Sequence, residues 1–190
     1  VPLLSSDARA ALPEAPLTSF QLPLFDAQML DTEIAYLRPG PFYNTDDGGN
    51  PWDPTSYIAR VDAAFADFID EGAEALILDL RDNPGGDNSF SDPIIAWFAD
   101  QPWRFASEFR VLVSEATTAS NAARLAQGGG DVSQRYAELF AGAENGDTIL
   151  YDFPEAEPRE GQRFEGAVYV LINRYSYSNA VTTAALVQDY

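Results

Sequence analysis

The chain has 190 residues, 46% of them apolar and 13% aromatic, which is the profile of one globular domain with a single sizeable core rather than of a disordered protein. Its formal charge is −19, from 30 acidic against 11 basic side chains, and all the basic residues are Arg; such a surface lacks the clustered cations that nucleic acid or an anionic membrane would require. Without Cys there is no disulfide, thiolate nucleophile or Cys-type zinc site, and without His the commonest general base and metal ligand are missing.

Residues 1–32, rich in Pro and Ala with a short apolar cluster at Phe20–Leu24, read as an irregular lead-in or the end of a preceding domain. A first residue of Val rather than Met is expected where an upstream part has been removed. Ile34–Leu37 is a short predicted strand ended by the Pro39-Gly40-Pro41 breaker. The polar loop from Asn44 to Asp53 has Asn44, Asp46 and Gly48 at a spacing faintly like a calcium loop. Thr55 stands where the bidentate Glu would be needed, so the loop reads as a plain turn. Asp53-Pro54-Thr55 is a helix start, with Asp53 as N-cap and Pro54 at the first helical position. Tyr57, Ile58, Val61, Phe65, Phe68 and Ile69 then recur at helical spacing up to Gly72.

Ala75–Leu80 is an almost unbroken apolar run, the pattern of a strand covered on both faces. It leads through Asn83-Pro84-Gly85-Gly86 into a helical stretch carrying Ile94, Ile95, Trp97 and Phe98. Phe109–Val113 alternates like a half-buried strand. Thr118–Ala126 and Val132–Ala141 are predicted helices split by a triple glycine, and Thr148–Phe153 is a further predicted strand. Ala167–Asn173 reads as a second buried strand, and Ser178–Tyr190 as a helix with Val181, Ala184, Ala185 and Val187 on its apolar positions. Strands alternating with helices point to α/β layers around a largely parallel sheet. No apolar run is long enough to cross a bilayer.

Two places share one design: a buried strand, an abrupt turn, then a helix. The first ends in Asn83-Pro84-Gly85-Gly86, the second in Ser176-Tyr177-Ser178-Asn179. Ligands of α/β sheets gather at the carboxyl ends of strands, so both turns face one edge if the strands are neighbours. Paired glycines permit positive φ and bring backbone N–H groups close to a ligand. Amides of this kind stabilise a developing oxyanion by about 3–4 kcal/mol per donor. A Ser heading a helix lies among unpaired amide donors, and Asn179 would set a second such donor beside the Ser178 hydroxyl. Taken singly, the first motif is a turn and Ser178 is an N-cap. Taken together they form the minimal set for acyl transfer, short of a base.

Leu76–Gly86 resembles the glycine-turn block of the S41 serine peptidases, which include the C-terminal processing proteases and the tricorn core. Val168–Asn173 followed by Ser176-Tyr177-Ser178-Asn179-Ala180 is similar to that family's nucleophile block, and Ile34–Leu37 to the strand that opens its catalytic core. The resemblance covers roughly 33–190 in three ordered blocks. It implies a crotonase-like α/β fold hydrolysing peptide bonds, with Ser178 as nucleophile and Ser176 at the family's usual Thr. One oxyanion amide would come from Gly85 or Gly86 and the other from Asn179. It implies a protein or peptide substrate, no cofactor or metal, and a periplasmic, cell-envelope or secreted setting.

Three departures accompany it. Neither the Lys of a Ser-Lys dyad nor the His of a tricorn-like tetrad is present, no PDZ-like segment is evident in residues 1–30, and Val181 stands where many members carry Glu. The sequence ends soon after Ser178, so a base and final strands in a continuation beyond Tyr190 are expected, which makes residues 33–190 a truncated peptidase core. The alternative is a non-catalytic peptide- or lipid-binding domain on the same scaffold, with Phe42, Tyr43, Trp52, Trp97 and Trp103 available to line a pocket, although Trp97 reads as core. A crotonase-type acyl-CoA enzyme would need cations for the CoA phosphates, which this chain largely lacks.

Overall fold

The computed structural model describes residues 22–46, 49–128 and 130–189. A four-stranded sheet organises the chain, in the order β1 (Asp26–Met29), β2 (Ile34–Arg38), β3 (Ala75–Asp79) and β6 (Ala167–Leu171). Most of the expected lead-in lies outside the described residues, but Asp26–Met29 is not irregular. It pairs antiparallel with β2 through a turn in which Asp31 Oδ1 accepts from the N–H groups of Glu33 and Ile34, both at 2.9 Å. The β2–β3 and β3–β6 pairs are parallel, as the alternation of strands and helices requires.

The β2–β3 crossover is α1 (Thr55–Asp70). Its start differs by one position from the sequence reading: Pro54 occupies the cap position, while Asp53 Oδ1 accepts from Thr55 N at 3.0 Å and from Thr55 Oγ1 at 2.6 Å. Tyr57, Val61, Phe65 and Phe68 turn toward the sheet and are buried with Ala35, Leu37, Leu76 and Leu78. Burial of each large side chain here contributes roughly 2 kcal/mol. Trp97, which follows α2 (Asn88–Ala96), stacks on Phe65 at 5.1 Å and donates from Nε1 to Asp62 at 2.8 Å. The Arg159 guanidinium covers the Trp97 ring at 3.3 Å. Trp97 is therefore core.

Between α2 and β6 the chain leaves the sheet. Strands β4 (Arg110–Leu112) and β5 (Thr148–Leu150) form their own antiparallel ribbon around two helices, α3 (Glu115–Ala126) and α4 (Asp131–Ala141). A reciprocal cap between Ser114 and Thr117 starts α3. The chain then returns through β6 into α5 (Asn179–Asp189), which packs on α2 and on the sheet through Ala180 and Ala184.

One expectation is corrected. Ala167–Asn173 reads in the sequence as a buried strand, yet Tyr169 and Ile172 are 60% and 59% exposed among the described residues. Among the described residues β6 pairs with β3 alone, at the end of the sheet, and of its residues Val168 and Val170 reach the core. A run of β-branched and aromatic residues marks a strand without stating how many of its faces are covered.

Candidate active site

The turn after β3 is held from both sides. Asp79, with its side chain fully buried, receives the Arg81 guanidinium at 2.7 and 2.8 Å and the Tyr36 hydroxyl at 2.6 Å. Burial alone would raise the Asp79 carboxyl, but the hydrogen bonds from Arg81 and Tyr36 outweigh it and bring it down to about 2. Asp82 then takes φ +62°, and Asn83, 1% exposed, organises the rest. Its Nδ2 donates to Gly40 O at 2.7 Å, and its Oδ1 accepts from Gly85 N at 2.8 Å. Gly85 O accepts from Phe42 N and Phe42 O accepts from Asp87 N, so Gly86 runs as a bridge beside Phe42. Gly86 has φ +143°, and a side chain there would run into the Phe42 backbone. Only glycine fits. Asp87 closes the segment by capping α2 through Ser89 N at 2.9 Å.

The turn after β6 is tied to the first at four points. Asn173 Oδ1 accepts from Asp82 N at 3.1 Å, and Asn173 Nδ2 donates to Asp82 Oδ1 at 3.0 Å. Ser176 Oγ donates to Leu80 O at 2.8 Å, and Tyr177 N donates to Asn83 O at 3.0 Å. Behind it, Asn179 is 3% exposed and donates from Nδ2 to Ser91 Oγ of α2 at 2.8 Å. Between these anchors Ser178 is exposed and takes φ +52°. An ordinary N-cap has extended backbone; a non-glycine residue in the left-handed region is strained by about 1–2 kcal/mol. Ser178 Oγ has no hydrogen-bond partner among the described residues, so the side chain is not spent on capping α5.

The two turns meet. A Cβ placed on Gly85 would lie 2.7 Å from Ser178 Cβ and 2.8 Å from Asn179 N. Ser178, Gly85, Gly86 and Asn179 are therefore brought together, as the two strand ends led one to expect. Their amides are not equivalent. The Gly85 N–H is committed to Asn83 Oδ1, whereas no partner takes the N–H of Gly86 or of Asn179 among the described residues. An exposed hydroxyl in a strained turn beside two unspent backbone donors can attack a carbonyl and hold the resulting oxyanion.

Sequence reasoning missed the residues that fix this meeting: Asn83, Asn173 and Asp82. Their signal was present as Asn and Asp at both turns, residue types whose side chains bond the backbone nearby. The candidate pocket aromatics do not form one group. Phe42 and Trp97 are core, Trp52 is exposed against Tyr43, and Trp103 is buried 1% exposed beside a different cavity. In the 44–53 loop Gly48 lies outside the described residues, and Asp46 Oδ2 accepts from the Ser56 hydroxyl at 3.0 Å.

The profile of peptidase family S41 matches residues 34–190, and the chain belongs to that family. No curated protein matches the sequence. Among solved structures, mature CPAF aligns at 15% identity and TM-score 0.52, covering 87% of this chain and 38% of that one. A CPAF mutant aligns at 16% identity and TM-score 0.54, covering 87% and 37%. A candidate peptidase from Parabacteroides merdae ATCC 43184 aligns at 21% identity and TM-score 0.52, covering 84% and 38%. The fold is thus that of the S41 proteases, and the chain spans under two fifths of the length of these relatives. Among the described residues no helix is long and apolar enough to cross a membrane.

Proposed function

We propose that the protein hydrolyses peptide bonds through an acyl-enzyme on Ser178. Ser178 Oγ adds to the scissile carbonyl while its proton passes to a general base. The carbonyl oxygen, now anionic, accepts from the N–H groups of Gly86 and Asn179. Collapse breaks the C–N bond, the amine leaves with the proton, and water then cleaves the ester by the reverse sequence. Gly85 serves by leaving room: a side chain there would sit against Ser178 and Asn179 N. The general base is assigned to a residue outside these 190, which hold neither the Lys nor the His of the family's dyad or tetrad.

The observation that carries this reading is the exposed, strained Ser178 pressed against Gly85 while the Gly86 and Asn179 amides have no partner among the described residues. It extends to a protein or peptide substrate, to processing near protein C-termini, and to a periplasmic, cell-envelope or secreted setting, for which family membership is the support. The test is fluorophosphonate labelling of the full-length protein. Labelling that disappears in Ser178→Ala, with folding retained, is expected. Equal labelling of that variant overturns the assignment. No labelling of either protein favours the non-catalytic binding domain, which the lack of Lys and His would also suit.

A further inference from the structure

Beside the candidate active site lies a cavity of about 630 Å³ that the chemistry above does not use. One wall is the start of α2, from Asp87, the residue after Gly86, to Asp92 one turn on. The opposite wall is aromatic. Trp103 and Ala156 exchange backbone hydrogen bonds at 3.0 and 2.8 Å, which sets the 103–105 segment against residues 151–156. Phe105 and Phe153 then lie 5.2 Å apart, and Tyr151 and Phe153 4.8 Å apart. Arg135 of α4 is exposed at the edge.

The charges on these walls do not cancel. Asp152 and Glu155 are both held by Arg104, at 2.9 and 3.1 Å. Asp87 spends an oxygen on capping α2. Asp92 makes no ion pair or hydrogen bond of normal geometry among the described residues. The Trp103 indole, 1% exposed, faces the Asp92 carboxyl, and its N–H favours the charged form without closing a full hydrogen bond, so that N–H is also left unpartnered. Burial, with Asp87 nearby, pushes the Asp92 carboxyl up to about 6. A half-buried carboxylate without a counter-ion is stabilised by a cation that enters beside it. Aromatic faces around it favour a cation over an apolar group of equal size.

Resting on the peptidase reading, we propose that this cavity receives a positively charged side chain, Lys or Arg, of the peptide held at Ser178, with Asp92 as its counter-ion and the aromatic wall as its sleeve. The step from Gly86 to Asp87 joins the oxyanion amide to the cavity wall, so the side chain selected belongs to a residue close to the scissile bond. Asp87, Arg135 and the Arg104-paired Asp152 and Glu155 are the other charged groups facing this space; Arg135 opposes the cation, and its exposure to water screens it.

The experiment uses the full-length protein carrying Ser178→Ala, so that peptides bind without turnover. Fluorescence anisotropy compares matched peptides with Arg, norleucine or Glu scanned through each position. At one position the Arg peptide is expected to bind about tenfold more tightly than the norleucine peptide. Adding Asp92→Asn should bring the two within about twofold, with retention of the fold checked by circular dichroism and thermal unfolding. Phe153→Leu should remove part of the preference and Arg135→Gln should increase it. A preference for Arg that Asp92→Asn leaves intact, the absence of any cation-selective position, or no binding by any peptide overturns the proposal. Fluorophosphonate labelling of the protein with Ser178 intact separates the two readings. Labelling without cation selectivity defeats this inference alone; selectivity without Ser178-dependent labelling defeats the peptidase reading.

Discussion

The turns after β3 and β6 follow one plan and live in opposite surroundings. The first is buried: Asn83 is 1% exposed, Gly85 is buried, its N–H and C=O are spent on Asn83 and Phe42, and the Asn83 side chain also holds Gly40 O. The second is open, with Tyr177 72% exposed and the Ser178 hydroxyl without a hydrogen-bond partner among the described residues. The contrast separates two tasks. On the proposed mechanism a donor must stand still before charge develops, which suits the clamped glycine turn. On the proposed reading a nucleophile must be reached by substrate, which suits a serine turn held on its flanks, at Asn173, Ser176, Tyr177 and Asn179. The strain at Ser178 is held by those flanks, as strain at functional sites commonly is.

Substitutions can break or sharpen this contrast. The largest effect is expected for Gly86→Ala, whose Cβ would collide with the Phe42 backbone; a loss of about 4 kcal/mol or more should be read in chemical denaturation, compared with under about 1 kcal/mol for Ala at Tyr177. Asn83→Ala comes next. It leaves Gly40 O and Gly85 N–H unsatisfied in a buried site, a cost of about 3 kcal/mol by the same measurement. Should it prove neutral, the buried clamp is not what orders the turn.

Asp92→Asn acts on the wall beside the first turn and should stabilise. Because the folded carboxyl sits at about 6, above its ordinary 3.8, the folded state binds more protons between these values and loses stability as pH rises through that window. The variant should therefore match the parent at pH 3.5 and exceed it by about 2 kcal/mol at pH 7.5 in thermal or urea unfolding. Equal gains at both pH values would mean that charge burial is not the cause. The smallest effect belongs to Ser178→Gly. It relieves the left-handed backbone and should add about 0.5–1 kcal/mol of stability while abolishing fluorophosphonate labelling, provided the flanking hydrogen bonds hold the turn.

Much of the fold was readable before the structure. Apolar runs at 76–80 and 168–172 gave strands, and the Tyr57–Phe68 periodicity gave a helix, because burial patterns follow from local repeat lengths. The open face of β6 was not readable. Val168, Tyr169, Val170 and Leu171 are good strand residues whichever faces are covered, and coverage is decided by elements far away in sequence. β1 went unseen because Asp-Ala-Gln-Met is too short and too polar to show a period.

At the site, the sequence by itself determined that a glycine turn and a serine turn each follow a strand, and that neither Lys nor His accompanies them. Only the tertiary structure decided that Gly85 abuts Ser178, that the Gly85 amide is consumed by Asn83 while the Gly86 amide is left free, and that Ser178 is strained rather than a cap. The reason is that residue type and spacing fix what a backbone can do locally, whereas the Asn83 amide that takes up the Gly85 N–H is oriented by Gly40 O, 43 residues away, and the approach of Gly85 to Ser178 follows from the pairing of β3 with β6. The same holds for Asp92, an ordinary helical residue in the sequence, which the fold sets in one cavity with aromatic residues of the 103–105 and 151–153 segments.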